Sequence, residues 1–285
     1  MCEKRWHRGN EACSYRESEL PLSPQAKGAY PMNFVWQIQP EDIENVRTFV
    51  NSRLNNAEVK ARIATNLRKD KPPITEEQFW DCMVGCLLTT QQKSGPNSRV
   101  AALIGQVPFP LRYEVCMSHQ DDLLDFAQDL LTKFGGLRRT RHIAAGISAN
   151  LATLEGKWGW QRFFSMLDRL REVQTQEVER TVAHFIDERL CGFGPKQSRN
   201  LLQWLGLTRY EIPIDSRVTK WLNDFGFPLN LSSTALADLN YYEFVLDAVQ
   251  QLCHEANVFP CVLDAAIFSS FDGDDEGTAA GPVLP

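Results

Sequence analysis

The sequence contains no apolar run approaching the roughly 20 residues that a membrane-spanning helix needs. That excludes a helical membrane protein. Basic residues within positions 1–9 are not followed by an apolar stretch, so no secretory leader is expected and the protein reads as intracellular. No pair among the eight cysteines has C-x-x-C spacing, and no close cluster joins Cys to His, so no metal site or four-thiolate iron–sulfur cluster is expected. The thiols read as reduced and buried, small apolar side chains in effect. Long alternating runs are missing as well, as is any internal repeat. A sheet and a solenoid are both excluded by pattern. Positive charge is also short, with a net charge of −6, which sits badly with a nucleic-acid partner until its distribution is considered.

The chain is 43% hydrophobic and 23% charged over 285 residues, as an ordinary globular protein is. Asp272, Asp274, Asp275 and Glu276 lie together in a Gly/Asp-rich C-terminal stretch, read as a disordered acidic tail over 271–285. Residues 1–33 lack periodic hydrophobicity and read as a flexible segment. Cations gather elsewhere. Lys133, Arg138, Arg139, Arg141 and His142 form a run with no acid in it, and Arg62, Arg68, Lys69 and Lys71 form a looser group.

Between the two ends, over 34–270, the period is helical almost throughout, so the fold class is all-α. Acids after Pro40 open a helix over 41–53, and a second covers 57–67. Thr75 and Gln78 have capping-box spacing ahead of Phe79, Met83, Val84, Leu87 and Leu88. Ser118 is placed to cap the helix carrying Leu123 to Leu131, which Gly135 and Gly136 end. Further helices are expected through Ile143 to Leu151 and over 158–170, 175–190, 197–204, 216–225, 241–253 and 258–268.

The chemistry concentrates between 190 and 217. In Leu190-Cys191-Gly192-Phe193-Gly194-Pro195-Lys196, the glycines accept left-handed dihedrals and leave amides uncovered, and Pro195 suits the first helical position. A helix N-terminus with bare N–H groups grips a phosphate oxygen without reading sequence. Lys196 falls in the first turn of the helix that follows. Its amine can attack a sugar C1′ and form a Schiff base once deprotonated, which burial and nearby cations favour. Asp215 follows Ile212-Pro213-Ile214 and is placed as a helix N-cap, held firmly enough to stabilise positive charge developing on a ribose ring.

These two segments, with Ile214-Asp215-Ser216-Arg217-Val218, resemble the helix-hairpin-helix plus Gly/Pro…Asp signature of the base-excision DNA glycosylase superfamily. The order, the lysine-to-aspartate spacing and the intervening apolar helix all match. The resemblance implies an all-α fold of two helical subdomains with a cleft between them. It implies Lys196 as Schiff-base nucleophile and Asp215 as essential carboxylate, the pattern of members that release a base and then cut the strand by β-elimination. Leu87-Leu88-Thr89-Thr90-Gln91-Gln92 resembles the helix end whose amide side chain enters the space a flipped base vacates, with Gln91 the better match and Gln92 beside it. Residues 134–143 resemble the G-x-R…I segment, where Arg138 and Arg141 would meet phosphates. Gly192, Gly194, Ser198 and Arg217 complete the expected DNA contacts. The likeness covers roughly 75–268.

Within the superfamily the likeness is nearest to the 8-oxoguanine glycosylases. The four-cysteine cluster usual in the oxidised-pyrimidine branch is missing. Asp264 and Phe268, one turn apart, suit a base pocket: a carboxylate accepts from a guanine's N1–H and N2–H, and an aromatic stacks on its face. Asn200, one turn after Lys196, joins them. The resemblance implies double-stranded DNA with a damaged base as partner, a monomer, and no cofactor or metal. Two alternatives stand beside it: a glycosylase for oxidised pyrimidines or alkylated bases, and a helix-hairpin-helix DNA-binding protein without catalysis.

Overall fold

The structure, a computed structural model, describes residues 36–95 and 97–271. The flexible segment expected over 1–33 and nearly all of the acidic tail expected over 271–285 lie outside these residues. The described part of the unit that begins at Ile38 is helical, with no strand among the described residues.

In chain order the α-helices are α1 (Pro40–Asn51), α2 (Ala57–Asn66), α3 (Glu76–Leu88), α4 (Arg99–Ile104), α5 (Tyr113–Ser118), α6 (Leu123–Phe134), α7 (Thr140–Glu155), α8 (Gly159–Glu172), α9 (Gln176–Arg189), α10 (Pro195–Trp204), α11 (Ser216–Phe225), α12 (Leu239–Ala256) and α13 (Pro260–Phe271). A 3-10 turn, Ala235–Ala237, precedes α12. The capping box at the start of α3 forms as expected: Gln78 N donates to Thr75 Oγ1 at 3.2 Å and Thr75 N to Gln78 Oε1 at 3.1 Å. Gly135 and Gly136 end α6 with positive φ of 73° and 75°. Ser118 does not cap α6. It closes the short α5, its hydroxyl donating back to Val115 O at 2.7 Å, and Asp122 takes the N-cap position of α6.

The helices fall into two groups by what they bury. One apolar cluster runs from Phe79 on α3 to Leu207 after α10, including Trp80, Met83, Leu131, Ile147, Phe163, Ile186 and Leu201. A second set of buried residues lies outside it: Val46, Val59, Ile212, Ile214, Leu222, Val245, Leu246, Leu252, Leu263 and Ile267, from α1, α2, α11, α12, α13 and the link before α11. α13 packs on α2, α11, α1 and α12, while α10 packs on α9 and α3. At the α3–α10 crossing the fit is close. A Cβ added at Gly85 would come within 2.6 Å of the Trp204 ring.

Candidate active site

The turn between α9 and α10 is built as the sequence predicts at Gly192, whose φ is +81°, a conformation costly for any residue with a Cβ. Gly194 departs from the expectation. At φ −147° and ψ −173° it is extended, and a Cβ there would meet nothing within 4 Å. Its freedom is not required by the fold, and its surroundings are open. Asn150, buried on α7, locks the turn in place: Cys191 N donates to its Oδ1 at 2.6 Å, and its Nδ2 donates to Cys191 O at 3.1 Å. Gln197 Nε2 ties the start of α10 to the end of α3, donating to Cys86 O (2.6 Å), Thr90 Oγ1 (2.8 Å) and Thr89 Oγ1 (3.2 Å).

Pro195 and Lys196 open α10. Burial pushes the Lys196 amine below the ordinary lysine range. The Asp215 carboxylate and the Cys86 thiol oppose that shift, Arg217 adds to it, and Asp264 also opposes it. The amine is thus within electrostatic reach of both expected carboxylates.

Asp215 caps α11. Its Oδ1 accepts from Arg217 N (2.8 Å) and Val218 N (3.2 Å), and its Oδ2 accepts from Arg217 Nε (3.1 Å) and Nη2 (3.0 Å). Both oxygens are therefore held, which suits a fixed negative charge better than a mobile base. The Arg217 guanidinium also lies over the Phe268 ring, 3.9 Å from its centroid. Arg217 is thus turned toward Asp215 and Phe268, and one face of Phe268 is covered by the guanidinium.

Asp264 is buried on α13, and Oδ2 accepts from Gln203 Nε2 (2.6 Å) and Arg62 Nη1 (3.2 Å). Burial raises its pKa to about 7, against the pull of Arg62 and with the Asp215 charge adding to the rise. Asn200 is buried one turn beyond Lys196 and donates to Cys86 Sγ (3.4 Å) and Gln197 Oε1 (3.3 Å). Ser198, expected at the DNA, is fully buried. Its hydroxyl donates back to Gly194 O (3.1 Å) and Pro195 O (3.0 Å), so it serves the helix start rather than the surface.

Of the expected DNA-facing residues, Gln92 and Arg138 come together from distant segments. Gln91, with φ +55°, accepts from the Arg139 guanidinium, and Gln92 Oε1 accepts from Arg138 N at 2.9 Å. Lys133, Arg138, Arg139, Arg141 and His142 are exposed along this stretch. The looser basic group divides: Arg68 and Lys69 are exposed, whereas Arg62 and Lys71 turn inward. Lys71 is buried and donates to Thr65 O (3.0 Å), Asn66 O (2.6 Å) and Gly206 O (2.5 Å), while Arg62 pairs with Asp264 and Glu58.

No family model matches the chain, and no curated protein matches its sequence. Solved structures do match. The 8-oxoguanine glycosylase/lyase of Methanocaldococcus jannaschii, in complex with a 15mer DNA containing 8-oxoguanine, superposes with a TM-score of 0.55 at 16% identity, covering 81% of this chain and 98% of that one. The 8-oxoguanine DNA glycosylase of Thermotoga maritima gives a TM-score of 0.56 at 14% identity with the same coverage. The chain shares the fold of these two enzymes.

Sequence reading missed a buried polar frame around the site. Arg199 is 0% exposed. Its Nε donates to the fully buried Glu211 at 2.7 Å, and its Nη1 to Pro195 O at 3.0 Å. Glu211 also receives Arg180 Nε at 3.0 Å. Glu179, buried on α9, accepts from three consecutive amides, Arg209 N (2.9 Å), Tyr210 N (2.8 Å) and Glu211 N (2.9 Å), yet burial outweighs them and raises its pKa to about 7. The available signal was Arg199 itself: it lies three residues after Lys196, on a helix otherwise flanked by apolar segments. Two surface cavities, of about 650 and 590 Å³, include none of the site residues.

Proposed function

We propose that this protein is a DNA glycosylase with lyase activity that removes an oxidised base, 8-oxoguanine foremost, from double-stranded DNA. The observation that carries the reading is the Lys196 amine, its pKa depressed by burial, within electrostatic reach of Asp215 fixed on the next helix. A fold shared with two 8-oxoguanine glycosylases supports it.

In this reading the damaged nucleotide leaves the stack and enters the site. Gly192, open Gly194 and the first amides of α10 grip the strand, while Gln91 and Gln92 occupy the space left behind. Asp264, which ionises as pH rises through about 7, accepts from the guanine N1–H and N2–H edge in its carboxylate form. As the C1′–N9 bond breaks, its electron pair leaves with the base, which takes up a proton. Asp215 stabilises the positive charge on the sugar, and Lys196 Nζ bonds to C1′. Proton transfer from nitrogen to O4′ opens the ring to the imine. Loss of a C2′ proton then breaks the C3′–O bond, and the 3′ phosphate departs.

Borohydride reduction on duplexes bearing 8-oxoguanine or an abasic site tests this directly. The native protein is expected to become covalently attached, and Lys196→Ala is expected to abolish attachment. Undiminished trapping in that variant would reject the nucleophile. A panel of lesions measured in parallel assigns the base: preference for an oxidised pyrimidine would move the substrate while leaving the chemistry intact.

A further inference from the structure

Asp215 can stabilise a forming cation only where its carboxylate stays in register with the lysine. The residues before it, Ile212-Pro213-Ile214, form an irregular link with no helix or strand of its own. A buried segment of this kind needs partners for its backbone groups from outside. One side chain supplies two of them. Tyr242, fully buried on α12, donates its hydroxyl hydrogen to Ile212 O at 2.7 Å, and the same oxygen accepts from Ile214 N at 2.7 Å. The hydroxyl thus spans Pro213, closing the link into a fixed bend whose next residue is Asp215.

The Tyr242 ring reaches the other half of the site. The Arg199 guanidinium lies over it at 4.7 Å from the centroid, and Arg199 donates to Pro195 O, the residue before Lys196. Arg199 Nε meanwhile holds Glu211, the residue before Ile212. Lys196 and Asp215 are therefore each preceded by a backbone segment fastened to one Arg199–Tyr242 unit. Burial pushes the phenol pKa upward, so the hydroxyl stays protonated and able to donate at any working pH.

We infer that Tyr242 is a positioning residue for base release: its hydroxyl sets the place of the Asp215 carboxylate against Lys196 without touching the nucleotide. The inference rests on the function proposed above. It separates two steps. Base release needs Asp215 at the developing cation, whereas imine formation at an existing abasic site, whose sugar already presents an aldehyde, needs the Lys196 amine.

The test is Tyr242→Phe, which keeps the ring under Arg199 and deletes only the oxygen. Single-turnover release of 8-oxoguanine is expected to fall 10- to 100-fold. Borohydride trapping on a preformed abasic duplex should change less than threefold. Because Tyr242 acts through Asp215, Tyr242→Phe should add little to the loss already caused by Asp215→Asn, a non-additivity that general loosening does not produce. Unchanged base release overturns the inference, as does an equal fall in both reactions or full additivity with Asp215→Asn. Should Tyr242→Phe not fold, Pro213→Ala loosens the same bend from the other side and is expected to show the same split. Base release at the native rate there also overturns it. A native protein that neither traps nor releases any base would remove the proposed function and this inference together. A native protein that does both, beside a variant indistinguishable from it, removes the inference alone.

Discussion

The lysine side and the aspartate side of the candidate site are held by different physics. The turn before Lys196 sits on the larger apolar cluster and is fixed by neutral amides, Asn150 on the Cys191 backbone and Gln197 on the end of α3. The link before Asp215 is bridged by the Tyr242 hydroxyl and anchored at its start by Glu211, a buried carboxylate paired with Arg199 and Arg180. Neutral clamps are individually modest, each worth about 0.5–1.5 kcal/mol net. Buried ion pairs are worth little against an apolar replacement but are costly to break on one side. The lysine side should therefore degrade gradually under mutation, and the aspartate side abruptly.

Four changes break or sharpen that contrast. Arg199→Met removes one member of a buried pair, and unfolding should become easier by about 3 kcal/mol, the low end for such a loss because Arg180 still meets Glu211. Chemical denaturation measures it, and a change under 1 kcal/mol would mean the frame is not held ionically. Asp215→Asn keeps the cap geometry but removes the charge. Base release should fall by about 10²–10³, as when a fixed electrostatic partner of a forming charge is lost, with binding to lesion DNA retained. Full activity would reduce Asp215 to a helix cap. Asn150→Ala on the neutral side should cost only about 1–1.5 kcal/mol, because the two Cys191 backbone groups it releases are part-buried and can meet water. A loss matching that of Arg199→Met would erase the contrast.

The smallest effect is in pH. The raised Asp264 keeps its proton in the folded state up to about pH 7, whereas an unfolded carboxyl releases it near 3.8. Folding therefore holds a proton between those values. Its stabilising share is complete below pH 3.8 and is lost as pH rises through 7. Asp264→Asn should flatten that part of the melting-temperature curve between about pH 4 and pH 7. Glu179, also raised to about 7, leaves a residual slope of the same sign in the variant. A curve as steep as the native one would assign the slope elsewhere.

What the sequence made legible follows from range. Helix starts such as Thr75 with Gln78, and stops such as Gly135, are local signals, and they appear where expected. The candidate pair, Lys196 and Asp215, was picked out by a spaced signature. A local rule failed where a competing local partner existed: Ser118 bonds back within α5. The frame was illegible for a different reason. Asn150 meets Cys191 across 41 residues, Tyr242 meets Ile212 across 30, and Arg62 meets Asp264 across 202, and no periodicity reports pairings of that kind.

The bonds from Gln91 to Arg139 and from Gln92 to Arg138 have a consequence for how a duplex would arrive. A chain with a net charge of −6 repels a polyanion from most directions. With Lys71 and Arg62 engaged inside and only Arg68 and Lys69 of that group exposed, the acid-free run of exposed cations over 133–142 offers the denser attractive approach. On the proposed function, the stretch that draws the DNA in is the one to which both glutamines are fastened. Encounter and insertion would then share one orientation, and the molecule would meet its substrate already turned the right way round.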